Sequence, residues 1–307
     1  MKMRFVVVLL FLCYGCSIHQ EQKINDSCDA YFVLVPIPEY SPAKLPCVNV
    51  DIEGQQLLLI LDLGFRGDLA IDKCILDSFE SKTFVKERLT YGIRSKPYTN
   101  KSYRIPKAMI GSMSFSPPMV QEENPEFLKD SRVETNGETE TSKEVGRLGW
   151  ELFLQSNLLL DVPHSRTAFC DSLDTLIKHG YQGQAFTRTP LFLERGLVEV
   201  EVNTPDGVLR CMIDTGATFS VLNNNIEQDG QQLKDFVWDP DNPIEYPSLK
   251  ISGEDFGPIQ FYPLPIQIPI RIEAILGMDF LKKHILFLDF RNQYAYFSKT
   301  KEATVHK

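Results

Sequence analysis

The sequence predicts an all-β fold in which two lobes, related by an approximate twofold axis, face each other across a central cleft. Three landmarks occur twice along the chain in the same order. They are an alternating strand at 48–52 and 198–202, an apolar run that ends in Asp-x-Gly at 62–64 and 214–216, and a segment that ends in Leu-Gly at 149 and 277. Repetition of whole structural units indicates a duplicated fold.

The strands that open the two halves justify the β assignment. Residues 48–52 and 198–202 alternate apolar and polar side chains, the pattern of a strand with one buried face. Each run is followed by a turn signal, Glu53-Gly54 in the first half and Asp206-Gly207 in the second. Each half is therefore predicted to begin with a β-hairpin.

The halves also align without a gap around the later glycines. The spacing from Gly149 to Asp161 equals the spacing from Gly277 to Asp289. Between the halves, Ser172 is predicted to cap a short helix that ends before Gly180. The predicted organisation is a signal peptide at 1–16, a flexible tether at 17–30, a first lobe at 31–171, a linker at 172–195 and a second lobe at 196–307.

The first half is longer than the second between its Asp-x-Gly and its later glycine, and two segments account for the excess. Residues 90–105 contain aromatic residues and Gly92, which predicts a hairpin. Residues 121–143 are rich in Glu, Thr, Ser and Asn, with Asn136-Gly137 near the middle. This second segment is predicted to be a solvated loop without a function of its own.

The N-terminus predicts export. A basic start is followed by a short apolar run at 5–12, which is the pattern of a secretory signal and is too short to span a membrane. Gly15-Cys16-Ser17 resembles a bacterial lipoprotein box, so Cys16 is a candidate for lipidation. Because the usual leucine lies one position too early, plain cleavage stays open as the alternative. The expected location is the cell envelope or periplasm, with a lipid anchor as the only membrane contact.

Charge and cysteine content restrict the partners. The chain of 307 residues has a net charge of −9, which argues against nucleic acid as the main partner. Five cysteines follow Cys16, so in an exported chain at least one thiol is unpaired. Cys211, on the run that leads to Asp214, is expected to be a buried apolar residue. No Cys-x-x-Cys or His cluster indicates a metal, and no cofactor is expected.

The repeated Asp-x-Gly segments resemble the catalytic loops of the pepsins and retropepsins, the aspartic proteases, whose two loops meet in one cleft. The resemblance covers both lobes. It implies that the catalytic acids are Asp62 and Asp214, supported by Gly64, Thr215 and Gly216. It further implies a peptide or protein substrate and, because both acids belong to one chain, a monomer.

The chemistry that the resemblance implies needs only the two acids. Two carboxylates held about 3 Å apart do not both ionise readily, so the pair holds one proton between them. The ionised acid accepts a proton from water while the protonated acid donates a hydrogen bond to the substrate carbonyl. The implied function is an aspartic endopeptidase acting on an extended peptide. In that family a hairpin flap closes over the peptide; Tyr91, Tyr98 and Tyr103 are the candidates to line it here, with an ordinary surface hairpin as the alternative.

The first loop departs from the family pattern. Leu63 stands where the family has Thr or Ser, and Phe65 stands where a small residue is usual. The family's hydroxyls cross the cleft and hold the carboxylates coplanar; Thr215 supplies one such bond and Leu63 supplies none. An inactive relative that binds peptides or proteins at the envelope is therefore the alternative to the protease. In a third hypothesis, the second lobe dimerises and pairs two copies of Asp214.

Overall fold

The computed structural model describes residues 31–40, 44–91, 97–116, 118–123, 134–135, 138–139, 144–223, 242–264, 266 and 272–299. The predicted signal peptide, the tether and the candidate lipidation site at Cys16 lie outside the described residues.

The strands of the first half, numbered in chain order, are β1 Phe32–Pro36, β2 Glu39–Tyr40, β3 Pro46–Ile52, β4 Gln55–Asp62, β5 Leu69–Ile71, β6 Thr83–Tyr91, β7 Pro97–Arg104, β8 Ala108–Ile110, β9 Met113–Phe115, β10 Met119–Glu122, β11 Glu134–Thr135, β12 Glu138–Thr139, β13 Gly146–Gly149, β14 Asn157–Asp161 and β15 Arg166–Cys170. Those that follow are β16 Thr187–Pro190, β17 Glu199–Thr204, β18 Gly207–Ile213, β19 Val221–Asn223, β20 Ile244–Tyr246, β21 Lys250–Ile251, β22 Glu254–Asp255, β23 Ile259–Leu264, β24 Ala274–Leu276, β25 His284–Asp289 and β26 Tyr294–Lys299. The helices are short: α-helical at Lys73–Asp77, Leu173–Lys178 and Met278–Leu281, and 3-10 at Trp150–Gln155, Val162–His164 and Gly183–Ala185.

The two lobes repeat one strand order, which confirms the predicted all-β, two-lobed fold. The first-lobe sheet runs β6-β7-β10-β5-β13-β4-β3-β8-β9, and the second-lobe sheet runs β20-β23-β19-β24-β18-β17-β21-β22. From β7 and β20 onwards the two orders correspond strand for strand. In each lobe the strand that carries or precedes the acid, β4 or β18, lies parallel to the strand that carries or precedes the later glycine, β13 or β24.

The hairpin that opens the first lobe follows from its turn residues. Ile52 pairs with Gln55 across a two-residue loop. Both loop residues have positive φ, 53° at Glu53 and 79° at Gly54. This is the twist that a two-residue hairpin between right-handed strands requires, and glycine adopts it without strain.

A third sheet joins the lobes, with the order β1-β15-β14-β25-β26-β16. Its centre is the antiparallel pair β14–β25, in which Leu159 faces Phe287. The residues of both central strands are buried throughout, as expected for continuous apolar runs covered on both faces.

The segment 172–195, predicted to link the lobes, has two structured parts. Ser172 caps the predicted helix by accepting a hydrogen bond from the Thr175 N–H at 3.2 Å, and Gly180 follows its end. Thr187–Pro190 forms β16, which pairs with β26 at the edge of the shared sheet. The linker thus contributes to the sheet that joins the lobes.

The cysteines that the structure describes form no disulfide: Cys47, Cys170 and Cys211 are buried, and Cys74 is exposed. Burial of Cys211 was predicted from the sequence and is confirmed. Within the described part of the chain, none of the helices has the length and apolar character needed to cross a bilayer.

Candidate functional site

The two Asp-x-Gly loops lie at the ends of matched strands. In the first lobe β4 ends at Asp62, which pairs in register with Gly149 of β13. In the second lobe Asp214 directly follows β18, and its N–H donates to the Leu276 carbonyl at 3.0 Å. The parallel pairing of each strand with the later glycine segment therefore fixes where each acid leaves its sheet.

The structure brings the two acids together within one chain. A Cβ placed on Gly64 would lie 2.5 Å from Oδ1 of Asp214, and one placed on Gly216 would lie 2.5 Å from Oδ1 of Asp62. Only glycine allows this approach, because a side chain at either position would displace the opposite carboxyl. Asp62, rather than a second copy of Asp214, is the acid beside Asp214.

Both carboxyls are buried, with Asp62 4 % and Asp214 1 % exposed. Burial, the charge of Asp62 and a hydrogen bond with that residue raise the pKa of Asp214 well above its ordinary value. Backbone donation from Gly216 and the positive charge of Arg147 act in the opposite direction but do not outweigh these causes. Asp214 therefore binds its proton more tightly than a free aspartate does.

Backbone N–H groups orient each acid. Oδ1 of Asp62 accepts from the N–H of Gly64 at 2.9 Å and of Phe65 at 3.1 Å. Oδ1 of Asp214 accepts from the N–H of Gly216 at 2.7 Å. A carboxylate that binds the N–H two residues ahead makes an Asx turn, which explains why Asp-x-Gly closes tightly in both lobes.

A single hydroxyl connects the loops across the cleft. Thr215, fully buried, donates to the Leu61 carbonyl at 2.6 Å and accepts from the Leu63 N–H at 2.9 Å. The matched residue in the first loop, Leu63, is 1 % exposed and belongs to the hydrophobic core. Thr215 of the second lobe therefore makes the predicted hydrogen bonds across the cleft, and Leu63 of the first lobe makes no matching side-chain bond.

A buried arginine reaches Asp62, and sequence analysis missed it. Arg147 on β13 donates from Nη1 to Oδ2 of Asp62 at 3.1 Å. Its Nε and Nη2 donate to the two carboxylate oxygens of Glu123 at 2.6 and 2.8 Å. Its guanidinium carbon lies 4.4 Å from the centre of the Phe65 ring, a cation–π contact.

Burial alone would lower the pKa of the Arg147 guanidinium, but the charges of Glu123 and Asp62 and their hydrogen bonds raise it above its ordinary value. Arg147 is therefore a permanent cation beside one of the two acids. Its exposed fraction is 2 %, so water screens these interactions little.

The signal for this arginine was present in the duplication. The aligned segments end Arg147-Leu-Gly149 and Ile275-Leu-Gly277, so a charged residue replaces isoleucine in one copy only. Its partner was misassigned, because Glu123 falls in the segment 121–143 that was predicted to be a solvated loop without function. Instead its side chain is 1 % exposed, and its N–H bonds to the Ile71 carbonyl at the end of β5.

The candidate flap is a hairpin, β6–β7, in which Tyr91 pairs with Pro97, and Thr90 with Tyr98. The side chains of Tyr91 and Tyr98 lie outside the described residues. Tyr103 lies at the other end of the hairpin, where it packs edge-on against Phe84 with ring centres 5.9 Å apart. The structure therefore places Tyr103 with the base of the hairpin.

Among the residues that the structure describes, no group of His, Cys, Asp or Glu has the arrangement of a metal site. The acids of the cleft bind each other, backbone N–H groups and Arg147. Their arrangement can orient a hydrogen-bonding ligand.

Comparison with known proteins bears on the fold. No family model and no curated protein matches the sequence. Among solved structures, the chain is similar to the basic 7S globulin from soybean, with a TM-score of 0.57 and 13% identity over 88% of this chain and 95% of that one. The likeness extends over both lobes and supports a two-lobed, pepsin-like fold.

The same comparison corrects the more specific identification. The similar structure is named as a globulin and not as a protease, and at 13% identity the likeness shows the fold alone. The prediction from the paired Asp-x-Gly motifs that the chain is an aspartic protease is therefore contradicted. The motifs predicted the duplicated fold correctly but do not establish the activity.

Proposed function

We propose that this protein is a non-catalytic relative with a pepsin-like fold, which binds an extended segment of a peptide or protein in its cleft at the cell envelope. The observation that carries the proposal is the hydrogen bond from Arg147 to Asp62. The similar solved structure, which is named as a globulin, supports a non-enzymatic role.

A general base must take a proton from water during the reaction. Asp62 is poorly suited to this step, because both of its oxygens already accept hydrogen bonds and one of them faces a buried cation. Protonating Asp62 would weaken its attraction to Arg147 in a site where screening is weak. The arrangement thus opposes the proton transfer that peptide hydrolysis needs.

The missing hydroxyl at Leu63 acts in the same direction. Catalytic groups have to be held closely in position, and a displacement of about 1 Å lowers a rate by about a hundredfold. Thr215 restrains the first loop, but no matching hydroxyl of residue 63 restrains the second. The remaining polar groups are sufficient for recognition, which tolerates looser geometry.

The proposed partner and location rest on the cleft and on the predicted export signal. An extended segment binds through its backbone hydrogen bonds, while alternate side chains enter pockets. The export signal and the candidate lipid anchor at Cys16 would expose the cleft to segments outside the cytoplasm. A monomer suffices, since both acids belong to one chain.

Incubating the mature chain with a pool of unstructured peptides tests the proposal. Products and retained peptides are identified by mass spectrometry between about pH 4 and pH 7. We expect no cleavage, and more peptide retained by the wild type than by the variant Asp62→Asn/Asp214→Asn, which changes the polar centre but not its shape. Cleavage that Asp214→Asn abolishes would overturn the non-catalytic role, and equal retention by both proteins would overturn binding in the cleft.

A further inference from the structure

We infer that Arg147, held in place by Glu123, is a positioning residue that keeps Asp62 ionised and confines the proton of the carboxyl pair to Asp214. The inference deepens the proposed function, since it describes the polarity that the same site offers to a ligand. It concerns the location of one proton and can be tested without knowing the ligand.

The geometry gives Arg147 one orientation. Glu123 binds two of its nitrogens, and both carboxylate oxygens of Glu123 are used. Because a guanidinium is planar and its nitrogens form a rigid fork, fixing two of them fixes the third. That third nitrogen, Nη1, is the one directed at Oδ2 of Asp62.

The hydrogen bonds of the two acids are unequal. Asp62 accepts from two backbone N–H groups at Oδ1 and from Arg147 at Oδ2. A proton on either oxygen would have to compete with these donors. Asp214 accepts one backbone N–H, from Gly216, and its other hydrogen bond is with Asp62 itself. Donors therefore surround Asp62, and the shared proton is placed more favourably on Asp214.

The charges act in the same sense. The titratable and charged groups that face the pair from the described elements packed against it are Arg147 on β13 and, behind it, Glu123 after β10. Glu123 compensates part of the arginine's charge. The remaining positive charge of Arg147 acts on the acid in direct contact with it, which is Asp62. Burial and the Asp62 charge together raise the pKa of Asp214.

A fixed proton gives the cleft a fixed polarity. While the pair holds one proton, Asp214 is then the hydrogen-bond donor, and the ligand group that faces it is an acceptor. The carbonyl of an intact peptide bond has this chemistry. A pair that exchanges its proton would instead accept or donate on either side.

The protonation of each acid can be followed by NMR on protein labelled with ¹³C at the aspartate carboxyl carbons. The two signals are assigned with Asp62→Asn and Asp214→Asn. In the wild type we expect two separate titrations, in which the Asp62 carboxyl loses its proton first and the Asp214 carboxyl loses its proton at higher pH. In Arg147→Met/Glu123→Gln, which removes both neighbouring charges, the two signals should move together. Arg147→Lys keeps the positive charge but lacks the planar fork, so the separation of the two titrations should be smaller than in the wild type.

Glu123→Gln provides a second variant in which Arg147 remains. The uncompensated arginine should hold Asp62 ionised and shift the titration of Asp214 to lower pH. The inference is wrong if both wild-type signals move together, or if Glu123→Gln leaves the Asp214 titration unchanged. If the titrations are as expected and no peptide binds, the positioning role stands and the proposed function fails.

Discussion

The two Asp-x-Gly loops of this protein have the same backbone and different side-chain chemistry. In both, a carboxylate accepts the N–H two residues ahead, and a glycine contacts the opposite acid. Only the second loop has a threonine that crosses the cleft, and only the first has a buried arginine against its acid. At the position of Arg147 the second lobe has Ile275, which is fully buried.

The two lobes can therefore share a symmetric backbone without sharing the same side-chain chemistry. Strand order and glycine contacts depend on main-chain geometry, which both lobes keep. The equivalence of the two acids depends on a few neighbouring side chains, and the first lobe has changed those at positions 63, 65 and 147. A pepsin-like frame can thus persist where the exchange of a proton between its acids is opposed.

The largest expected effect is on the free energy of unfolding when Arg147 is replaced. Arg147→Met leaves Asp62 and Glu123 buried without their cation, which should lower the free energy of unfolding by about 3 to 5 kcal/mol. Urea denaturation at neutral pH measures this change. The matched variant in the other lobe, Ile275→Met, conserves volume and should cost less than about 1.5 kcal/mol. Equal losses in the two variants would contradict the asymmetry of the lobes.

Thr215→Val tests the connection between the loops. It removes a donor to the Leu61 carbonyl and an acceptor for the Leu63 N–H, both in a buried site. An unsatisfied buried group costs about 1 to 3 kcal/mol, so a loss of about 2 kcal/mol or more is expected from thermal or urea unfolding. Leu63→Val, which deletes only apolar contacts on the opposite loop, is the control. A Thr215→Val protein as stable as the control would show that this hydroxyl does not join the lobes.

The pH dependence of stability tests the inequality of the acids. Because the pKa of Asp214 is raised in the folded state, the folded protein binds more protons than the unfolded chain above about pH 4. The contribution of Asp214 to the free energy of unfolding therefore falls as pH rises from its pKa in the unfolded chain towards its raised pKa in the folded protein. Asp214→Asn should flatten that part of the curve, so that the variant becomes relatively more stable as pH increases. Parallel curves for the two proteins, measured by urea unfolding across this range, would contradict the raised pKa.

The smallest effect is expected for Leu63→Thr, which restores the missing hydroxyl. A new hydrogen bond should offset most of the lost apolar burial, leaving a net change of about 1 kcal/mol. Because Arg147 still contacts Asp62, we expect no peptide cleavage from this variant. Cleavage by Leu63→Thr, measured with the same peptide pool, would show that the missing hydroxyl and not the arginine prevents activity.

Much of this arrangement could be predicted from the sequence. The repeated landmarks located both acids, the later glycines and the hairpin turn at Glu53-Gly54, because these depend on local patterns that occur twice. The link from Glu123 to Arg147 could not be predicted in this way. Glu123 begins a polar stretch that favours solvent, and its burial depends on β10 lying beside β5 in the folded sheet. The resemblance of the motifs to catalytic loops also did not establish the function. Asp-x-Gly specifies a turn and a close approach of the two loops, but it does not specify which charged residues lie beside each acid.

The sheet that joins the lobes has a consequence for how the chain reaches its native state. β14 from the first half pairs with β25 from the second, and each half supplies one side of this buried sheet. Either half expressed alone would expose the apolar edge of its central strand. Such an edge is a template for aggregation. The halves, although duplicated, should therefore fold only as a unit, after the C-terminal strands have been synthesised.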